Sequence, residues 1–256
     1  FTIQSPTTET PPDEDDTDPP PVDDPDDQVP PPSLIRMQSF AAHEFLEAAR
    51  LAEAAYAPPS ERWRFDIAQE WAVLPDSLLQ TTSGTTAGNG SWSYTNGYFR
   101  ASVPSTVLGF TVVQNANIYL AELNDQRTLT LSFRGTEEEN WLRTIIELGQ
   151  QGIQGWLDLF QRGFSDFLNQ LMDVVVDQQI DHVLISGHSL GGALTAEFYR
   201  DYVVAADSRL DGRKVSIVTL GSPGSRFIPE VNNPDVSVVN VVHQGDPVAN
   251  IVEQTR

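Results

Sequence analysis

The chain has 256 residues, 39% of them hydrophobic and 20% charged, with 36 acidic against 15 basic side chains and a formal net charge of −21. A basic nucleic-acid footprint is therefore excluded, and with no cysteine there are neither disulfides nor thiol nucleophiles. No apolar run approaches the ~18 residues of a membrane-spanning helix.

Charge and proline are concentrated at the start. Residues 1–32 hold ten acids, ten prolines and no Lys or Arg, a composition that cannot bury enough apolar surface to fold. We read residues 1–33 as a disordered acidic, Pro-rich tether and 34–256 as one domain, of a length suited to a single core. Phe1 is not a methionine, so a processed form is expected, and an acidic linker of this kind suits an exported protein, secreted or tethered at the cell surface. The tail lacks the Gly and closing Glu of a calcium loop, so no metal is expected there.

Leu34, Met37, Ala41, Phe45, Ala48 and Ala52 follow at the spacing of one helical face, with Ser33 as N-cap and Pro58-Pro59 as the stop. The Gly/Ser/Thr-rich stretch from Ser83 to Asn96 reads as a surface loop. Three strand-like runs come next, Leu108 to Gln114, Asn117 to Leu123 and Thr128 to Phe133, with turns at Asn115-Ala116 and at Asn124 to Gln126. They predict an antiparallel meander feeding a larger sheet.

Helix and strand patterns then alternate. Helical spacing over Ser165 to Val176 precedes a strand at His182 to Ser186, a second helix follows it, and strands are predicted at Val215 to Leu220 and Val236 to Val242. Strand, helix, strand with right-handed crossovers gives an α/β layered sheet, mostly parallel, with helices on both faces. Ligands of such sheets gather at the carboxyl ends of the strands.

One of those ends carries Gly187-His188-Ser189-Leu190-Gly191-Gly192 between an apolar strand and a helix. A serine so placed is the nucleophile elbow of an acyl-transfer hydrolase, its flanking glycines needed because the turn brings backbone into contact. Phe133-Arg134-Gly135-Thr136 ends the third meander strand, Gly221 to Gly224 the next, and His243-Gln244-Gly245-Asp246-Pro247 the last.

With these motifs the chain resembles the class 3 lipase family of α/β-hydrolases. The resemblance covers nearly all of residues 34–256 and rests on Phe133 to Thr136, Arg162-Gly163-Phe164, Gly187 to Gly192 and Val242 to Val248, in that order. It implies that Ser189 is the nucleophile, that Asp246 orients the catalytic histidine, and that Thr136 and Leu190 supply the oxyanion hole. It also implies a lid where Trp141, Leu142, Ile145, Ile146 and Leu148 form an apolar helical stripe; Gly149, Gly152 and Gly155 beyond it read either as hinges or as plain loop glycines. The implied activity is ester hydrolysis of acylglycerol-type lipids, with no cofactor and no metal, and transient contact with a lipid surface.

The histidine breaks the pattern. After Asp246 none follows, so the chain is expected to stop before the base and to be weak or inactive alone. His243 is the nearest stand-in, His188 belongs to the elbow, and His182 and His43 read as solvent-facing or locally hydrogen-bonded. Two alternatives stand beside the lipase reading. One is a non-catalytic α/β-hydrolase-like domain binding lipid or protein on a flexible stalk; the other is a phospholipase A1 or an acyltransferase.

Overall fold

The computed structural model describes residues 42–57, 60–61, 71–86, 89–105, 110–123, 125–135, 161–223 and 232–242. Their frame is a nine-stranded mixed sheet with helices on both faces, which agrees with the α/β reading. The elements are α1 (Ala42–Ala54), β1 (Ala72–Val73), β2 (Ser83–Thr86), β3 (Gly90–Thr95), β4 (Tyr98–Ser105), β5 (Phe110–Leu123), β6 (Gln126–Phe133), the helical residues 161–177 as α2, β7 (His182–His188), α3 (Leu190–Phe198), β8 (Lys214–Leu220) and β9 (Val236–Val241).

Strands β2 to β6 form an antiparallel meander, β6 to β9 are parallel, and β1 pairs with β5. Two sequence expectations are corrected here. The stretch from Ser83 to Asn96 is not a loop but β2 and β3. In β3 Trp92 and Tyr94 point inward while Ser91, Ser93 and Thr95 face out, a period-2 pattern that small polar residues disguise. Asn115-Ala116 is not a turn either, because β5 runs unbroken through it. Asn117 explains why a polar residue sits there: wholly buried, it donates from Nδ2 to the carbonyls of Ala54 and Ala57, both at 2.9 Å, and so closes the C-terminus of α1. β4, absent from the sequence reading, joins β3 through Asn96-Gly97, both at positive φ (48° and 79°), as a two-residue hairpin turn requires.

Predicted and observed boundaries agree closely for the parallel strands, and the apolar runs of β7 and β8 are buried on both faces. Alternate residues sort to the two sides. Val183, Ile185, Val215 and Ile217 pack in the core that includes Phe164 and Phe167 of α2 and Leu194 and Phe198 of α3. Leu184 and Val218 face Ala48 and Leu51 of α1. On the first side aromatic rings form a continuous stack, with Phe99 4.3 Å from Phe167 and 4.7 Å from Phe164, and Phe133 edge-on to Phe164 at 5.1 Å. The beginning of the helix predicted from Leu34, its cap Ser33, and the tail 1–33 lie outside the described residues, and the helix ends at Ala54, before Pro58.

Candidate active site

The parallel strands β6, β7, β8 and β9 end at one edge of the sheet, and the chain leaves them at Arg134, Ser189, Gly221 and Val242. At the second of these joints Ser189 holds φ 54° and ψ −125°. No ordinary well for an L-residue lies there, and such a conformation persists only where the surroundings impose it. The surroundings are identifiable. Ser189 N–H donates to the carbonyl of Leu220 at 2.8 Å, and its own carbonyl accepts from Gly192 at 2.9 Å as α3 begins.

The glycines of the motif are sterically required. A Cβ on Gly187 would come within 2.2 Å of the Gly191 carbonyl oxygen, and one on Gly191 within 2.2 Å of the Phe133 carbonyl oxygen. α3 therefore rests directly on the backbone at the ends of β6 and β7, with Thr195 Oγ1 bonded back to the Gly191 carbonyl at 2.9 Å. Leu190 opens α3, in the first turn where backbone amides have no acceptor within the helix and the helix dipole favours negative charge.

Gly135, the last described residue past β6, is equally confined. A Cβ there would lie 2.1 Å from Tyr56 Oη and 2.8 Å from the His188 carbonyl oxygen. Tyr56 Oη is hydrogen-bonded to His188 Nδ1 at 2.8 Å, and the Arg134 guanidinium stands 5.7 Å from the centre of the Tyr56 ring. Burial pushes the Tyr56 phenol up from its ordinary pKa, while the Arg134 charge and the backbone N–H of Gly135 pull it down. Sequence reasoning missed Tyr56. It is 132 positions from His188, and nothing in its neighbourhood marks it.

Of the residues singled out from sequence, Ser189 and Leu190 lie at this edge, where β7 passes into α3. Thr136, Asp246, His243, Trp141, Leu142, Ile145, Ile146 and Leu148 lie outside the described residues, as do Gly149, Gly152 and Gly155. His188 is engaged through Nδ1 with Tyr56. His182 is neither exposed nor satisfied locally: it is buried and hydrogen-bonded through Nε2 to Ser216 Oγ on the neighbouring strand at 2.8 Å. Burial, followed by the Lys214 charge, holds its pKa down to about 4, with Glu44 acting in the opposite sense. It sits at the amino end of β7, away from Ser189 at the other end. The side chain of His43 lies outside the described residues. Among the described residues no group of His, Cys, Asp or Glu is arranged to hold a metal ion, and no helix is long and apolar enough to cross a membrane.

Comparison with known proteins gives a consistent picture. The profile of the family described as "Lipase (class 3)" matches residues 130–255, a span that contains Thr136, Ser189 and Asp246. Lipases of Rhizopus niveus and Rhizopus oryzae are each 24% identical over 228 residues, 83% of this chain and 50% of theirs. The chain thus spans about half the length of the curated relatives it matches. Among solved structures, the extracellular lipase LipA from Serratia marcescens shares the fold at a TM-score of 0.53 and 16% identity, over 84% of this chain and 42% of that one. Lipase II from Rhizopus niveus does so at 0.51 and 19%, over 83% and 75%.

Proposed function

We propose, from the match of residues 130–255 to the class 3 lipase family, that the chain is a lipolytic serine hydrolase that cleaves carboxylic esters of acylglycerol type through an acyl-enzyme on Ser189. The observation that carries the reading is the strained backbone of Ser189 at the joint of β7 and α3, beside the first-turn amide of Leu190. A serine with no chemical task has no reason to occupy such a conformation.

In the proposed reaction Ser189 Oγ attacks the ester carbonyl as a histidine takes its proton. The amides of Leu190 and Thr136 hold the oxyanion, the alcohol departs with the proton returned by the histidine, and water, activated by the same base, releases the acid. Asp246 orients that histidine. Three histidines are disfavoured for the role: His188 because its Nδ1 is taken by Tyr56, His182 because it is buried at the opposite end of β7, and His43 because it lies in the first turn of α1, next to Glu44, which pairs with Lys214 at the amino end of β8. The base is then His243 or a histidine from outside these residues. Trp141, Leu142, Ile145 and Ile146 are proposed as the apolar face of a lid that meets a lipid surface. The chemistry needs no cofactor. We also propose an exported protein, in keeping with the acidic Pro-rich composition of residues 1–32.

The test uses the intact protein, with a short-chain nitrophenyl ester and an emulsified triacylglycerol as substrates and a fluorophosphonate as covalent label. Ser189→Ala is expected to abolish labelling and to lower turnover by about 10⁴-fold or more. Undiminished hydrolysis by the Ser189→Ala protein would remove the assignment.

A further inference from the structure

Tyr56 stands where three pieces of backbone converge. It lies two residues past the end of α1, in a turn fixed by Tyr56 N–H to the Glu53 carbonyl and Ala57 N–H to the Ala54 carbonyl, both at 3.1 Å. Asn117 of β5 clamps that turn from below through the Ala54 and Ala57 carbonyls. The phenol therefore projects from a rigid base.

Its tip has two neighbours. On one side Gly135 has so little room that the hydroxyl occupies the place of a side chain; on the other, the oxygen is hydrogen-bonded to His188 Nδ1. The bond to His188 Nδ1 runs in the direction set by the imidazole tautomer, and in either direction it ties the phenol to the elbow. A single oxygen thus touches the arm that leads from β6 into Thr136 and the arm that leads from β7 into Ser189 and Leu190.

We propose that Tyr56 is a positioning residue, a spacer between α1 and the sheet edge that sets how Gly135, past the end of β6, stands against the elbow at Ser189 and the amide of Leu190. The inference rests on the functional reading above, and it adds a residue that neither the elbow nor the family motifs contain. Its physical basis is the steepness of oxyanion stabilisation: donors must sit within about 2.7–3.1 Å of the developing charge, and a misplacement of about 1 Å can cost on the order of 10²-fold in rate. Tyr56→Phe keeps the ring against Arg134 and removes only the bridge.

The experiment compares kcat, KM, the rate of Ser189 phosphonylation and Tm in the intact wild-type protein, Tyr56→Phe, His188→Ala and the double variant. The expected result for Tyr56→Phe is a fall of about 10- to 100-fold in kcat and in phosphonylation rate, with KM within about twofold of wild type. The double variant is expected to be no slower than the slower single one, since both changes break one bridge. His188→Ala removes the other end of the same bond and keeps the test open if Tyr56→Phe folds poorly. Ser189-dependent reaction at an unchanged rate in both single variants overturns this inference alone. So does a loss shared between kcat and KM that merely follows a fall in Tm. Reaction in the wild type that does not depend on Ser189 overturns the functional reading and this inference with it.

Discussion

Replacing Ser189 by glycine should make the protein more stable while removing its proposed nucleophile. At φ 54° and ψ −125° Ser189 carries a side chain where only glycine is at ease, a strain of about 1–3 kcal/mol. Ser189→Gly releases it, but glycine gives back about 0.5–1 kcal/mol through the greater freedom of the unfolded chain. The net gain is about 1 kcal/mol, which for a domain of this size raises Tm by roughly 2–4 °C. Ser189→Ala is the necessary partner, since it deletes the same hydroxyl and keeps a Cβ in the strained position; its stability should stay close to wild type. The measurement is urea-induced unfolding of the three proteins, followed by tryptophan fluorescence and circular dichroism. Ser189→Gly equal to or below Ser189→Ala in midpoint, at unchanged m-value, would show that the elbow stores no more strain than the ~0.5–1 kcal/mol that glycine gives back.

Three other perturbations test separate parts of the fold. Gly191→Ala improves helix propensity by about 1 kcal/mol, yet its Cβ would stand 2.2 Å from the Phe133 carbonyl oxygen, so a net destabilisation of about 2 kcal/mol is expected from overpacking against backbone; a stabilised variant in a denaturant titration would contradict the close approach of α3 to β6. Asn117→Ala removes both hydrogen bonds at the end of α1 and should cost about 2 kcal/mol, with amide exchange accelerated first at Ala55, Tyr56 and Ala57; unchanged protection there would refute the clamp. Glu197, buried beside Arg200, has its pKa raised to about 7 by burial from 4.5, so the native state binds the extra proton between those values and stability falls as pH rises through that window. His182, held at about 4 against 6.5, has the opposite sign: the unfolded state binds the extra proton, and stability falls as pH drops from about 6.5 to 4. Stability measured between pH 4.5 and 6.5 should therefore slope upward with pH in Glu197→Gln and downward in His182→Gln, with the wild type flatter than either; parallel curves would sink the argument.

The parallel half of the sheet was legible because strands buried on both faces must be continuously apolar, and Val183 to Ile185 or Val215 to Leu220 have few other uses. Ser189 was legible because an elbow compresses its steric demands into adjacent residues. The antiparallel half was harder for a definite reason. Ser91, Ser93 and Thr95 face away from the core, and their polarity outweighs Trp92 and Tyr94 in any short window. Asn115-Ala116 looks like a turn, yet the strand runs through it into Asn117, which is needed as a polar group facing a helix end that lies more than fifty positions earlier in the chain. Tyr56 is the same problem within the site, since its significance comes from Gly135 and His188, which only the folded chain brings beside it.

Among the described strands, spatial order follows chain order: from β2 to β9, each lies beside the one made just before it. A chain emerging from the ribosome can therefore add strands at one growing edge, without waiting for a distant partner to complete an earlier pair. The joints, however, are fastened from ahead. Ser189 N–H is held by Leu220, 31 residues later, and Gly221 N–H by Val241 of the next strand again. A nascent chain released before β8 thus possesses the whole serine motif but not the bond that fixes its backbone, and the strained elbow should be completed late, one strand after the motif itself has been read.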